Sequence, residues 1–284
     1  MGHNGKHHRV DLPVSAMTGP ADDGLARCFA IRTVLHAPPD AGLTAAGPLV
    51  PKQVSARPPL MRLSVVILAL NEAHHIGALL ADLAEARAAG VELILVDGGS
   101  TDGTAALAAP AVDRVLTAPR GRANQMNAGA RAAAGEVLWF LHADSRLPPE
   151  APAALLHVCA RGVLWGRFDV RLSGPMPVLR LVERAMNLRS RLTGIATGDQ
   201  GIFVTRAAFE RVGGYPEIPL MEDIALSKAL RRLARPACLR TRITPSRRRW
   251  EEQGALRTIL LLWRLRRAFA LGADPRRLAR LYGR

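Results

Sequence analysis

The sequence predicts an α/β fold, a mostly parallel sheet with helices on both faces, and three observations predict it. Apolar runs of strand length alternate with segments of helical spacing. The runs lack the in–out alternation of a half-solvated sheet, as expected for strands covered on both sides. Three of them end abruptly in carboxylate, amide or imidazole residues, and ligands of open parallel sheets bind beyond the carboxyl ends of the strands.

Leu63 to Ala69 is the first such run. Residues 74–89 follow with helical spacing through Ile76, Leu79, Leu80, Leu83 and Ala86, and Gly90 stops that helix. Val91 to Val96 is the second strand, a short helix follows Gly103, and a third strand lies near Val112 to Leu116. A helix over 122–134 leads to the strand Val137 to Leu141. The later half is mixed, with strands near 163–172 and 201–205 and helices near 176–192, 223–234 and 252–270. Residues 1–60 hold Pro38-Pro39, Pro48, Pro51 and Pro58-Pro59 and little periodicity, so they read as a disordered extension, with Met61 a candidate natural start. His3, His7 and His8 fall in that extension and read as incidental. The domain reading is therefore an extension over 1–60, an α/β domain over 61–250, and basic amphipathic C-terminal helices over 251–284.

The chain of 284 residues carries a formal charge of +15, and +10 of it lies in residues 240–284, where thirteen arginines face three acids. A basic end attracts phosphates, whether on nucleotides, nucleic acid or a membrane surface. No nucleic-acid-binding motif is present. Only three of the 39 basic residues are Lys, so genome composition also accounts for part of the excess. No run reaches the roughly 18 uninterrupted apolar residues of a membrane span, and no secretory h-region opens the chain. Cys28, Cys159 and Cys238 form no C-x-x-C pair, which argues against a disulfide framework or zinc site and points to a reducing compartment. The cytoplasm is the expected location.

The polar strand ends carry the chemistry. The first strand runs into Asn71-Glu72, the second into Asp97-Gly-Gly-Ser-Thr-Asp102-Gly103, the fourth into His142-Ala-Asp144. Parallel strands bring all three to one edge. Asn71 and Glu72 suit a helix cap as well as a ligand, and Asp102 suits a cap. Asp97 ends its strand as a carboxylate expected to be buried with no donor facing it. Asp144 needs a partner, and Arg146 is the only basic residue near it in sequence. A hard divalent cation shared with phosphates would also satisfy it, since Mg²⁺ takes one or two carboxylates and leaves its other positions to phosphates and water. Neither a dinucleotide G-x-G-x-x-G after the first strand nor a P-loop is present.

With those residues in place, the sequence from about Arg62 onward resembles family 2 glycosyltransferases of the GT-A fold. The resemblance is carried by Val65-Val-Ile-Leu-Ala-Leu-Asn-Glu72, Val96-Asp-Gly-Gly-Ser-Thr-Asp-Gly-Thr104, Gly121-Arg-Ala-Asn-Gln-Met-Asn127, Phe140-Leu-His-Ala-Asp144, Gly198-Asp-Gln-Gly201 and Met221-Glu-Asp223. Gly121 to Asn127 with Phe140 to Asp144 is similar to the radical-SAM/selenodomain-associated subgroup. The resemblance implies an inverting transfer from a nucleoside-diphosphate sugar, UDP-sugar favoured, to an acceptor hydroxyl. Asn71, Glu72, Asp97, Arg122 and Asn127 would hold the nucleotide sugar. Arg248, Arg249 and Trp250 would close over its diphosphate. Asp144, with His142 where the familiar D-x-D has its first Asp, would bind Mg²⁺ or Mn²⁺. Asp199, Gln200 and Glu222 would face the acceptor, and Asp223 would be the general base. Each has a plainer reading: Asp223 as an acidic first turn, Arg122 as a solvated helix-start arginine, the arginine tract as a solvated face.

Residues 257–271 read as a basic amphipathic helix, suited either to an anionic membrane surface presenting a lipid-linked acceptor or to packing on the domain with its arginines outside. A peripheral position on the inner face of the membrane follows from the first. Two rival functions stay open: a nucleotidyltransferase of similar fold, which would carry a Gly-rich, Arg-containing loop where Ala69 to Ala73 stands, and a non-catalytic phosphate- or membrane-binding protein with a degenerate transferase domain.

Overall fold

A computed structural model describes residues 61–174, 177–246 and 254–283. The N-terminal extension and the arginine tract with Arg248, Arg249 and Trp250 lie outside the described residues. Among the described residues, β1 (Leu63–Ala69), α1 (Ala73–Ala88), β2 (Glu92–Asp97), α2 (Thr104–Ala108), β3 (Arg114–Thr117), α3 (Arg122–Ala132) and β4 (Val137–His142) form the first half. There follow α4 (Ala151–Ala160), β5 (Trp165–Val170), α5 (Pro177–Thr193), β6 (Phe203–Thr205), α6 (Arg206–Arg211), α7 (Glu222–Arg231), β7 (Ala237–Ile243), α8 (Ala255–Ala270) and α9 (Pro275–Tyr282).

The strands make one seven-stranded sheet in the order β3-β2-β1-β4-β6-β5-β7. Its β3-β2-β1-β4 half is parallel, β6 runs antiparallel to both neighbours, and β5 and β7 are parallel. The reason β1 reads as an unbroken apolar run is now visible. Val65, Ile67 and Ala69 enter a core under α1 and α4, whereas Val66 and Leu68 enter a second core with α3, α6 and α7. Each face of the strand is dry, so apolar residues fill it from Val65 onward, and the one polar residue, Ser64, is buried with its hydroxyl bonded to Glu92 and Gly135 N. On the second face α3 approaches β1 closely: a Cβ at Gly129 would lie 2.3 Å from Val66.

Register aligns the strand ends. Ala69 pairs with Asp97 and Leu68 with His142, so the residues that follow β1, β2 and β4 emerge along one edge. A third core cluster joins Leu220, Met221 and Ile224 to Leu265 and Leu278. The C-terminal helices thus pack against the start of α7. Among the described residues no helix is long and apolar enough to cross a membrane.

Candidate functional site

The loops after β1 and β2 are zipped together. Asn71 Oδ1 accepts from Thr101 N (2.9 Å), the Ser100 hydroxyl accepts from Asn71 N (2.9 Å), and the Thr104 hydroxyl accepts from Glu72 N (2.9 Å). Asp102 caps two helices at once, accepting from Thr104 N at the start of α2 and from Ala73 N at the start of α1. The cap expected from Asn71 or Glu72 is therefore supplied across the loop by Asp102, because neither of their side chains caps α1. Asn71 turns the chain in the left-handed region, φ 55°, a conformation asparagine tolerates. Glu72 Oε2 lies 3.0 Å from His75 Nδ1.

Asp97 departs from expectation. It is buried, but it does have donors. Ser100 N (2.9 Å), Gly99 N (3.2 Å) and the Ser100 hydroxyl all donate to it, because its own Gly-Gly turn folds back over the carboxylate. The α3 motif is likewise used internally. Gln125 Nε2 bridges Ala69 O and Val96 O (2.9 Å each), and Asn127 clasps the Tyr215 backbone through both ends of its amide (2.8 and 2.9 Å).

Beyond β4 the picture changes. Arg146, the one sequence candidate to pair Asp144, turns instead to Asp82 on α1 (2.7 and 2.8 Å). Burial alone would raise the Asp82 pKa, but the bonds from Arg146 and Leu147 N outweigh it and hold the carboxyl below its ordinary value. Asp144 makes no hydrogen bond or ion pair with any described residue. His142 Nε2 is buried without a hydrogen-bond partner and packs against Gly198, where a Cβ would lie 2.7 Å from it.

A cavity of about 320 Å³ opens here. Glu72, His142 and Asp144 line it from the strand ends, Gly198, Asp199 and Asp223 from the segment beside His142 and the start of α7, Arg122 from the start of α3, and Thr258, Leu262, Arg266 and Tyr282 from α8 and α9. Asp97, Asn127, Gln200 and Glu222 are not in its lining. Gln200 is fully buried, its Oε1 accepting from Thr197 N (3.2 Å). Thr258, Leu262 and Arg266 fall four residues apart on one face of α8. That spacing, an arginine in phase with a leucine and a threonine, was the sequence signal for a wall that the strand-end reading did not include.

Asp223 sits at the mouth of α7. Gly198 N donates to its Oδ2 (2.9 Å) and Ile224 N to its Oδ1 (2.7 Å). Its neighbour Glu222 is buried, with Oε1 3.4 Å from Arg122 Nη1 and Oε2 unpartnered. Burial, then the nearby Asp223 charge, push the Glu222 carboxyl up to about 7, with Arg122 pulling the other way. Arg122 is thus no solvated helix-start arginine. Burial disfavours its charge, but Glu222, Tyr282, Asp223 and Asp199 outweigh that and raise its pKa. Its guanidinium also stands 5.9 Å from the Tyr282 ring centroid.

Residues 64–200 match the family model described as Glycosyl transferase family 2. That match covers just under half of the chain. Solved structures agree on the fold. S. aureus TarS 1–349 aligns with a TM-score of 0.54 at 19% identity, over 66% of this chain and 60% of that one. The mannosyltransferase PcManGT from Pyrobaculum calidifontis, solved with GDP-Man and Mn²⁺, aligns with a TM-score of 0.56 at 20% identity, over 74% of this chain and 62% of that one. Glucosyl-3-phosphoglycerate synthase from Mycobacterium tuberculosis, solved with Mn²⁺, UDP and glucosyl-3-phosphoglycerate, gives 0.52 at 20%, over 70% and 76%. The chain spans well under two thirds of TarS, 37% in the longer structure. No curated protein matches the chain in sequence.

Proposed function

We propose that the protein transfers a sugar from a nucleoside-diphosphate sugar to an acceptor hydroxyl, with inversion at the anomeric carbon. The observation that carries this reading is a cavity at the carboxyl ends of β1 and β4 that Glu72, Asp144 and Asp223 line together. The nucleotide sugars and UDP in the structures of similar fold support a donor of that class.

In this reading Asp223 is the base. Two backbone N–H groups fix its carboxylate, so one oxygen is aimed without freedom to rotate away. In the proposed step it takes the acceptor hydroxyl proton while the acceptor oxygen bonds to the anomeric carbon. The bond from that carbon to the diphosphate oxygen breaks, and the electron pair leaves with the diphosphate. Inversion follows from this single displacement.

The donor set fits a divalent cation. Asp144 has no partner among the described residues, His142 Nε2 is a buried orphan, and no group of three or more His, Cys, Asp or Glu forms a self-sufficient metal cluster there. Such a sparse set suits Mg²⁺ or Mn²⁺, which complete their shells with phosphate and water. Asp144 would hold the ion, with His142 beside it, and a bound ion would neutralise charge on the departing diphosphate. Arg122, half exposed beside the cavity, adds a fixed positive charge. Mn²⁺ accompanies the nucleotides in two of the similar structures.

A thermal-shift panel of UDP-, GDP- and dTDP-sugars with Mn²⁺ or Mg²⁺ tests the reading. One nucleotide class is expected to stabilise the protein, and only with metal present. Stabilisation by none of them, in either metal, would remove the transferase reading.

A further inference from the structure

Two arginines, one buried and one half-buried, lie about twenty residues apart in the same part of the fold, and they are treated very differently. Arg167 on β5 is fully buried and fully used: it donates to the Ser190 hydroxyl (3.0 Å), to Asn187 O (3.0 Å) and to Asp169. Arg189 on α5 buries its Nε and one terminal nitrogen, Nη2, and neither has an acceptor. Buried N–H groups without acceptors are rare because each forfeits its bond to water. The charge is opposed as well. Burial, Arg266 and Arg167 push the Arg189 pKa down to about 10, and only Asp223 favours its charged form. Arg266 is itself in the cavity wall with Asp223, and α5 and α8 are in contact through Ile259, which packs with Leu179 and Val182.

We propose that Arg189 and Arg266 form an anion subsite beside Asp223 that holds a phosphate or carboxylate of the acceptor. A planar guanidinium with unused N–H groups fits a two-oxygen anion. The same anion would relieve the repulsion between the two arginines and seat a neighbouring hydroxyl of the acceptor near the base. The assignment to the acceptor rests on the reading of Asp223 as base; the subsite itself does not.

Inorganic phosphate at constant ionic strength is the probe, followed by calorimetry with and without saturating nucleoside diphosphate and Mn²⁺. The wild-type protein should bind phosphate in both conditions. Arg189→Gln and Arg266→Gln should each weaken it by about tenfold, the effect of one charge-assisted bond, with nucleoside diphosphate affinity changed by less than about twofold. Arg189→Lys keeps the charge and should recover part of the loss, which separates binding from damage to the fold. No phosphate binding, or equal binding by the variants, would overturn the subsite. Competition between phosphate and nucleoside diphosphate, with both weakened by Arg189→Gln, would assign the arginines to the donor and overturn the proposal. Arginine-dependent phosphate binding without any nucleotide binding would keep the subsite and remove the transferase reading.

A second inference stands on other residues. On α5, Leu181, Leu188 and Leu192 are exposed at spacings of seven and four, one stripe opposite Leu179. On α8, Leu260 and Trp263, the latter 72% exposed, face away from Leu265, and Leu271 continues the stripe past the helix end. The α8 and α9 sequences hold seven arginines and no acid. Exposed leucine and tryptophan flanked by arginine alone complement an anionic bilayer surface, where the apolar side chains enter the headgroup boundary and the arginines meet phosphates. We infer that this face rests on an anionic membrane.

Flotation of the full chain with neutral phosphatidylcholine vesicles, and with vesicles containing about one-third phosphatidylglycerol, tests it. Binding is expected only to the anionic vesicles and should fall by about tenfold or more in the Leu260→Ser, Trp263→Ser double variant, whose exposed positions leave the core intact. Absence of wild-type flotation, or unchanged flotation of the variant, would overturn the inference. Light scattering that shows a dimer lost in the same variant, without vesicle binding, would give the face to a second copy of the chain instead.

Discussion

The loops after β1 and β2 and the polar groups beyond β4 differ in how completely they are used. On the β1–β2 side, Asn71, Asp97, Ser100, Asp102 and Thr104 bond to one another and to the backbone of their two loops. On the other side, Asp144 has no partner among the described residues, and His142 Nε2, Glu222 Oε2 and two nitrogens of Arg189 are orphans. A buried polar group that lacks a partner costs stability. A fold that has closed one loop pair so thoroughly, and left other polar groups open, divides scaffold from the surface proposed to bind ligand. The same motif residue types do both jobs, so residue identity alone does not tell them apart.

Four variants break or sharpen that division. Asp223→Asn should show the largest effect, a fall in turnover of about 10²- to 10⁴-fold with donor binding preserved; turnover near wild type would take Asp223 out of the chemistry. Asp144→Ala comes next, weakening metal-dependent donor binding by more than about tenfold while leaving the melting temperature unchanged or raised, since an unpartnered carboxylate contributes little to the fold. Titration of donor at several metal concentrations reads this directly.

Glu222→Gln tests an orphan through pH. With its folded pKa near 7 against an ordinary 4.5, Glu222 is protonated in the fold under conditions that ionise it in the unfolded chain. Its contribution is therefore complete below pH 4.5 and is lost as pH rises through 7, a fall on the order of 3 kcal/mol. The Gln variant should lack this fall, so urea midpoints of the two proteins should diverge between pH 5 and pH 8. Parallel curves would show that the carboxyl titrates normally. The smallest effect is expected on the closed side. Asp102→Ala removes caps from α1 and α2 and should lower the melting temperature by a few degrees, with substrate affinity in the folded protein nearly unchanged.

How much was legible beforehand follows the same line. β1, β2 and β4 were readable because both their faces are dry, which leaves apolar runs broken only by Ser64 and by polar residues at the strand ends. β7 was not: its Arg240 and Arg242 interrupt the apolar pattern of a strand at the end of the sheet order, where one side needs no cover. α4 was hidden by Pro148, Pro149 and Pro152, although proline in a first turn is harmless since that N–H has no helical partner. Of the site, Glu72, Asp144 and Asp223 were placed by their positions at strand ends and a helix start. The expectation that Asp97 has no donor failed because its donors lie only two and three residues onward, in a turn whose closure depends on glycine geometry. Arg189 and Arg266 were out of reach, since nothing in sequence joins α5 to α8.

Met221 gives the cavity one more property. It precedes the Glu222-Asp223 pair at φ 71°, in a region where a methionine side chain crowds its own backbone, at a price of roughly 1 kcal/mol or more. Glycine would sit there without conflict, yet it would also let the peptide swing. Keeping a bulky residue wedged between Leu220 and Ile224 in the third core makes the turn rigid, so the carboxylate two positions on is held like a tool in a vice. Relaxing that turn would make a sturdier fold that holds this carboxylate less firmly.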